Sequence, residues 1–183
     1  MKTILVSNGP VVKSREAGDL IESFDTIVRF NNFETRGYEK YVGKRTDIWA
    51  TRICESIQRR NSRNFPRIIG VVNWCIYTDA INNLVPRFLA QYPQTELILA
   101  EQSRSYSERF GYNKNKNWLS VGMITLMHLI EEEGISPVYV YGFAGDTTTH
   151  YFPKNPRDPQ FHNWETERKY LGQLIDQGKV VCV

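Results

Sequence analysis

Short apolar runs alternate with longer amphipathic segments along most of the chain. Several runs, such as IIGVV, VYVY and VVCV, are continuously apolar rather than alternating. Continuous runs are typical of strands that are buried on both faces, as in parallel sheets. We predict strands at Ile4–Ser7, Thr26–Phe30, Asp47–Ala50, Arg67–Asn73, Glu96–Leu99, Val138–Tyr141 and Lys179–Val183.

Three segments between these runs carry apolar residues at helical spacing. We predict helices at Thr78–Ala90, Ser120–Glu133 and Trp164–Gln177, the last of them ending at Gly178, a common helix stop. The polar stretch Glu101–Trp118 predicts a surface loop, with a mobile lid as the less favoured alternative.

Strands that alternate with helices indicate an α/β fold. We expect a single doubly wound, mostly parallel sheet of about seven strands with helices on both faces, of the Rossmann-like type. At 183 residues the chain suits one domain, which we expect to cover residues 1–183.

The composition indicates a globular protein, and its charge gives no sign of a nucleic-acid partner. Hydrophobic residues make up 41% and charged residues 23%, which excludes a disordered chain. The formal net charge of +3 does not indicate a nucleic-acid partner, but it is compatible with an anionic small molecule.

The sequence also lacks targeting and membrane signals. No apolar run reaches the roughly 20 residues of a transmembrane helix, and the run near the N-terminus is too short for a signal peptide. The cysteines, Cys54, Cys75 and Cys182, are scattered and have no zinc-ligand spacing. We expect a cytoplasmic protein, with a place at the inner face of a membrane as an alternative.

Several common catalytic and cofactor motifs are missing. The sequence has no GxGxxG, GxxxxGK[ST], HExxH or GxSxG motif, which disfavours dinucleotide, P-loop, metalloprotease and serine-hydrolase functions. It has no DxD pair to hold a divalent metal against a nucleotide diphosphate. We therefore expect no metal and no other cofactor.

Small polar residues follow the first two predicted strands, where a doubly wound sheet binds its ligands. Ser7, Asn8 and Gly9 follow the first strand and would let backbone N–H groups and the Asn8 amide approach a phosphate. The same residues also form ordinary turns. Asn31 follows the second strand.

The helix Ser120–Glu133 opens with Ser–x–Gly. Ser120 is either a simple N-cap or, with Gly122, part of an anion site with a free hydroxyl and exposed amides. His128, two turns further along the same helix, is predicted to be a structural, hydrogen-bonded histidine.

Two histidines follow the sixth predicted strand. His150 opens the run HYF, and His162 stands five positions before Glu167. Histidine titrates near neutral pH, so both are candidates for proton transfer or for contact with a phosphate.

Taken in order, these patches resemble the motifs of the animal-type sialyltransferases, the glycosyltransferase family 29 enzymes of the Golgi that use CMP-sialic acid. The large motif resembles ILVSNGP…IESFDTIVRFNNFETRGYEKYVGKRTD, and the small motif resembles LSVGMITLMHL…VYVYGF. The third motif corresponds to HYF and the very small motif to His–x4–Glu. The resemblance covers most of the chain, and the order and spacing of its motifs are fairly specific.

The chain also departs from the family pattern. Pro153 follows Phe152 where the third motif usually has an acidic or amide residue, and the small motif has LSVG instead of Pro-Ser-Thr-Gly. The cysteine pair that joins the large and small motifs in the Golgi members is missing, with Thr3 at one position and Glu131–Glu133 in the corresponding stretch of the other. The chain resembles a minimal bacterial or viral relative without a membrane anchor.

The resemblance implies a Rossmann-like fold of the GT-A-variant type and a metal-independent, inverting transfer. Sialic acid, or a related 2-keto acid sugar, would move from a CMP-sugar donor to a hydroxyl of a glycan acceptor. His162 would be the general base and His150 would hold the departing phosphate. Glu167 would support His162 or merely face solvent, and Tyr151 would frame the acceptor or pack its loop. The implied donor-binding residues are Ser7, Asn8, Gly9, Asn31, Trp118, Ser120, Val121, Gly122, Phe143 and Ala144.

Three alternatives stay open at this point. A CMP-Kdo-type transferase would share the cytidylate and the anomeric carboxylate of its donor. A nucleotide-binding module without catalysis would keep the sheet, although the presence of both His150 and His162 argues against it. An unrelated doubly wound enzyme, such as a methyltransferase that uses S-adenosylmethionine, would have no affinity for CMP.

Overall fold

The computed structural model describes residues 1–55, 57, 60, 65–72, 78–111, 119–143, 149–152 and 162–183, and only the backbone of 78–81. Within these residues, one all-parallel sheet of seven strands forms the centre of the protein. All seven predicted strands are confirmed with small shifts at their ends, and Asn73, the predicted end of the fourth, lies outside the described residues. The strands are β1 (Thr3–Val6), β2 (Thr26–Phe30), β3 (Ile48–Arg52), β4 (Arg67–Val71), β5 (Thr95–Ile98), β6 (Val138–Tyr141) and β7 (Val180–Cys182).

The strands are connected by helices and one 3₁₀ turn. The 3₁₀ helix Pro10–Ser14 follows β1 directly. The α-helices are α1 (Gly18–Glu22), α2 (Glu39–Val42), α3 (Thr78–Gln91), α4 (Ala100–Glu108), α5 (Val121–Glu131) and α6 (Trp164–Asp176). The three predicted helices correspond to α3, α5 and α6.

The strand order is β5-β4-β3-β2-β1-β6-β7. The chain runs outward from β1 to β5 and then crosses back to place β6 against the other side of β1, with Leu5 paired to Val140. The winding direction therefore reverses between β1 and β6. In open parallel sheets such a reversal leaves a crevice beyond the carboxyl ends of the two strands, where ligands bind.

Both faces of the sheet are buried, as the continuous apolar runs predict. In β1, Leu5 packs into the core cluster that contains α4, α5 and α6 residues, while Ile4 and Val6 pack on the opposite face with Ile21 of α1. A third cluster, around Trp49, buries α3 against β3 and β4. The protein is thus a doubly wound α/β sheet with helices on both faces.

The prediction of a surface loop over Glu101–Trp118 is wrong for its first half, because Ala100–Glu108 is the helix α4. Its buried face consists of Tyr106 and two serines, Ser103 and Ser107, rather than aliphatic residues. The Ser103 hydroxyl donates to the carbonyl of Val72 at 2.9 Å, so it is satisfied inside the core. Residues 112–118 lie outside the described residues.

Helix α6 ends as its sequence predicts. Gly178 adopts a φ of +69°, a left-handed conformation that glycine adopts at little cost. The N–H groups of Gly178 and Lys179 donate to the carbonyls of Ile175 and Leu174, both at 2.9 Å. This C-cap turns the chain directly into β7.

In the part of the chain that the structure describes, every helix is too short or too polar to cross a lipid bilayer.

Candidate active site

The segment after β1 ties the carboxyl ends of three strands together. The N–H of Ser7 donates to the carbonyl of Tyr141 at the end of β6, at 2.9 Å. The Ser7 hydroxyl accepts the N–H of Gly9 at 3.1 Å, and Asn8 Nδ2 donates to the carbonyl of Phe30 at 2.9 Å. The Asn8 amide was predicted to approach a phosphate, but at least one of its N–H groups instead joins β1 to β2.

Asn31 joins the ends of β2 and β3. It is a non-glycine residue with a positive φ, +51°, a conformation that asparagine tolerates better than most residues. Its Oδ1 accepts the backbone N–H of Arg52 at 3.0 Å, and its carbonyl accepts the indole N–H of Trp49 at 2.8 Å. Among the described residues no hydrogen bond engages Asn31 Nδ2, so this group is the part of the side chain that could reach a donor.

Gly142 and Phe143 carry the chain out of β6 across the crevice. Gly142 has a φ of +76°, and a Cβ there would lie 2.3 Å from Cγ1 of Val12, so only glycine fits. The Phe143 ring packs edge-on against Phe30 with centroids 6.0 Å apart. It also lies 3.2 Å from where a Cβ of Gly122 would be, so Phe143 connects the end of β2 to the start of α5.

The segment that carries His150 is fastened to β1 through its neighbour. The N–H of Tyr151 donates to the carbonyl of Asn8 at 3.0 Å, and its hydroxyl donates to the carbonyl of Glu34. Burial raises the pKa of Tyr151 to about 12. Tyr151 is buried and packs its loop. The His150 ring stacks on Phe152, with centroids 4.8 Å apart.

His162 lies just before α6. The side chain of Asn163 caps this helix by accepting the N–H of Thr166 at 3.1 Å. The His162 ring is half-buried and lies 4.8 Å from the ring of Trp164. His162 therefore lies one residue before the N-cap of α6 and five positions before Glu167.

Glu167 is buried against the start of α5, so the alternative that it faces solvent is wrong. Its Oε1 accepts the N–H of Ser120 at 2.7 Å, and its Oε2 accepts the Ser120 hydroxyl at 2.8 Å. Burial raises the pKa of Glu167 to about 7, although the two bonds from Ser120 lower it. Sequence reasoning linked Glu167 to His162 by spacing and gave no signal of its contact with Ser120.

Ser120 is confirmed as the N-cap of α5, because its hydroxyl also accepts the N–H of Met123 at 3.2 Å. The expectation of a free Ser120 hydroxyl is wrong, since Glu167 engages it. The first N–H groups of a helix lack partners within the helix. Among the described residues no hydrogen bond engages the N–H groups of Val121 and Gly122, which are thus the donors that α5 can offer to an anion.

The remaining predicted residues fall outside this group. His128 lies in the last turn of α5, with Nε2 3.4 Å from Oε1 of Glu133. It is therefore near the opposite edge of the sheet, about 12 Å along the helix from Ser120. Trp118 and Ala144, both predicted to bind the donor, lie outside the described residues. The described residues contain no group of three or more His, Cys, Asp or Glu side chains that could hold a metal ion.

Comparisons with known proteins agree on one family. Residues 2–179 match the family model described as glycosyltransferase family 29 (sialyltransferase). Lactosylceramide alpha-2,3-sialyltransferase of Mus musculus is 22% identical over 98% of this chain and 52% of its own length. Type 2 lactosamine alpha-2,3-sialyltransferase of Homo sapiens is 44% identical over 25% of this chain and 14% of its own length.

The fold has a counterpart among solved structures. A mammalian sialyltransferase in complex with Gal-beta-1-3GalNAc-ortho-nitrophenol superposes with a TM-score of 0.71 at 18% identity, covering 100% of this chain and 68% of that chain. At this identity the likeness shows the fold alone. The chain spans about half the length of the lactosylceramide sialyltransferases that it matches.

Proposed function

The chain belongs to glycosyltransferase family 29, the sialyltransferase family, and from this membership we propose that it transfers sialic acid from CMP-sialic acid to a hydroxyl of a glycan acceptor. The transfer proceeds without a metal and inverts the anomeric centre. The donor is a CMP-sugar whose anomeric carbon carries a carboxylate, and the acceptor is a glycan.

One observation carries this proposal: the four sequence motifs meet at the crevice where the winding of the sheet reverses. Asn8 contacts Phe30 of β2 and the His150–Phe152 segment, and Phe143 contacts Gly122. Glu167 in turn joins Ser120 to the helix that begins beside His162. These contacts support a single ligand crevice formed by residues that are far apart in the chain.

The donor side of the crevice suits two negative groups. A CMP-linked 2-keto acid sugar carries one phosphate and one carboxylate next to each other. The N–H groups of Val121 and Gly122 at the start of α5 bind one of them, helped by the positive end of the helix dipole. His150, whose neighbour Tyr151 is bonded to Asn8, donates a charge-assisted hydrogen bond to the phosphate as CMP leaves.

The reaction is a single displacement. The acceptor oxygen forms a bond to the anomeric carbon while the bond from that carbon to the phosphate oxygen breaks, through an oxocarbenium-like transition state. The acceptor hydroxyl gives its proton to His162, and CMP departs as a phosphate monoester. Because this leaving group carries a single phosphate, hydrogen-bond donors and an imidazolium are sufficient to stabilise it, and no metal is needed.

CMP release measured with and without a glycan acceptor tests the proposal. We expect acceptor-dependent release from CMP-sialic acid that is unchanged by EDTA, and a product of inverted anomeric configuration by NMR. Release from CMP-Kdo but not from CMP-sialic acid would mean that the donor sugar is Kdo. Loss of activity in EDTA would contradict metal independence. Tight binding of CMP without turnover of any CMP-sugar would contradict catalysis.

A further inference from the structure

The Glu167 carboxyl occupies an unusual place for an acidic group. It is buried, and the hydrogen bonds the structure gives it are both to Ser120, a neutral residue. No charged side chain among the described residues contributes to the shift of its pKa. A buried carboxyl without a cation costs free energy of folding, so its presence points to a role beyond stability.

The contact joins the starts of two helices that are far apart in the chain. Ser120 is the N-cap of α5, and Glu167 lies in the first turn of α6, 47 positions later in the chain. On the α6 side, the N–H of Glu167 donates to the carbonyl of Asn163 at 3.1 Å. Glu167 is therefore rigidly connected to the residue that follows His162.

On the α5 side, the same contact determines which backbone N–H groups are already hydrogen-bonded and which are left for a ligand. The Glu167 carboxyl accepts a hydrogen bond from the N–H of Ser120. The Ser120 hydroxyl accepts one from the N–H of Met123, and the Ser120 carbonyl accepts one from the N–H of Ile124. The N–H groups of Val121 and Gly122 lie between these anchored groups. Their direction is consequently set by how Ser120 is held.

We propose that Glu167 is a positioning residue that locks the donor-binding start of α5 to the start of α6, next to the base His162. The inference rests on the proposed function. Through this contact the distance between the donor anion and His162 is fixed before substrate arrives. A displacement of about 1 Å between reacting groups can lower a rate about 100-fold, so a rigid link between the two helices matters for the rate.

The position of Glu167 also links donor binding to pH. An ionised carboxylate at the start of α5 repels an anionic donor at the same helix end. The other charged residues of the first two turns of α6, Glu165, Arg168 and Lys169, are exposed and therefore weakly coupled. Because His150 and His162 are also titratable, the contribution of Glu167 must be isolated by comparison with Glu167→Gln.

The first test compares three variants in donor-dependent CMP release and in CMP binding by calorimetry. Glu167→Ala should lower kcat/KM for the donor about 100-fold. Glu167→Gln, which can keep a hydrogen bond to Ser120, should retain activity within about tenfold. Glu165→Ala, a matched change at an exposed carboxylate of the same turn, should match the unaltered protein. Equal activity and equal CMP affinity of folded Glu167→Ala and Glu165→Ala would overturn the inference.

The second test examines the contact between Glu167 and Ser120 even where Glu167→Ala does not fold. Ser120→Ala and Glu167→Asp, whose carboxyl is one methylene too short to keep both bonds to Ser120, are measured singly and together, and their losses of CMP affinity should not add, because both act on one contact. The donor KM of the unaltered protein, divided by that of Glu167→Gln, should rise between pH 6 and 8. Additive losses with a flat KM ratio would overturn the inference. CMP binding that follows these expectations without any sugar transfer would contradict the proposed function alone.

Discussion

The carboxylates near the two ends of helix α5 have different kinds of partner. At its start, Ser120 holds the buried carboxyl of Glu167 through two neutral donors. At its end, Glu133 pairs with the guanidinium of Arg67 at 2.8 Å, and Arg67 also bonds Glu96 of β5. The first contact lies at the carboxyl edge of the sheet and the second at the amino edge.

The difference lies in how the charge of each carboxylate is compensated. Arg67 neutralises its carboxylates, which lowers the pKa of Glu96 and stabilises the folded chain. Glu167 has a raised pKa because it is buried, and this destabilises its ionised form. Groups whose environment disfavours their charge concentrate at functional sites, so the comparison supports the proposed site at the start of α5.

The largest expected effect distinguishes the histidines at the two edges. His162→Ala should lower kcat by about 10²–10⁴-fold, because it removes the base that accepts the acceptor proton. His128→Gln, at the amino edge, should leave kcat within about twofold, because distant sites act independently. Steady-state CMP release measures both variants. Near-normal transfer by folded His162→Ala would contradict its role as the base.

The next effect is a pH dependence of opposite sign at the two edges. The folded-state pKa of Glu167 is raised to about 7, so its stabilising contribution is fully present below its ordinary pKa and is lost as pH rises through about 7. In urea unfolding, the free energy of unfolding of Glu167→Gln should therefore rise relative to that of the unaltered protein, by on the order of 3 kcal/mol, between about pH 4.5 and pH 8.

Glu96 supplies the matched comparison. Its pKa is lowered by the hydrogen bonds from Arg67, so its contribution is present above its ordinary pKa and disappears as pH falls through the lowered value. Glu96→Gln should therefore cost stability at neutral pH and cost less in acid. The same pH trend for Glu96→Gln and Glu167→Gln would show that the two edges do not differ as described.

The smallest effect is purely structural. Arg67→Ala should lower the free energy of unfolding by about 1–2 kcal/mol, because it leaves Glu96 and Glu133 without their shared cation in a partly exposed network. The donor KM should stay unchanged. A large rise of this KM in the folded variant would mean that the amino edge takes part in donor binding.

The sheet could be predicted from the sequence because each strand is marked by a short run of neighbouring residues. Runs such as Thr26–Phe30 and Val138–Tyr141 are apolar and β-branched, and the observed strands have the same bounds. Helix α4 was missed because Ser103 and Ser107 supply its buried face. Their hydroxyls are satisfied by carbonyls of Val72 and Ser103, which no local hydrophobic pattern can indicate.

The site was predictable as a set of segments but not as a set of contacts. Motif order indicated that Asn8, Ser120, His150 and His162 belong together. Spacing along the chain suggested His162 as the partner of Glu167, whereas the observed bonds reach Ser120, 47 positions away. The side-chain amide of Asn8 likewise bonds the carbonyl of Phe30, a backbone group in another strand. Such contacts depend on how strand ends align, which only the folded structure defines.

The most direct measurement of the central claim is a titration of the ¹⁵N-labelled protein with CMP, followed by NMR of the backbone amides. We expect the largest shifts at Asn8, Val121, Gly122 and Phe143, around the start of α5, and unchanged signals at Glu96, His128 and Glu133 at the opposite edge. Shifts confined to the opposite edge, or no shifts at saturating CMP, would contradict the account.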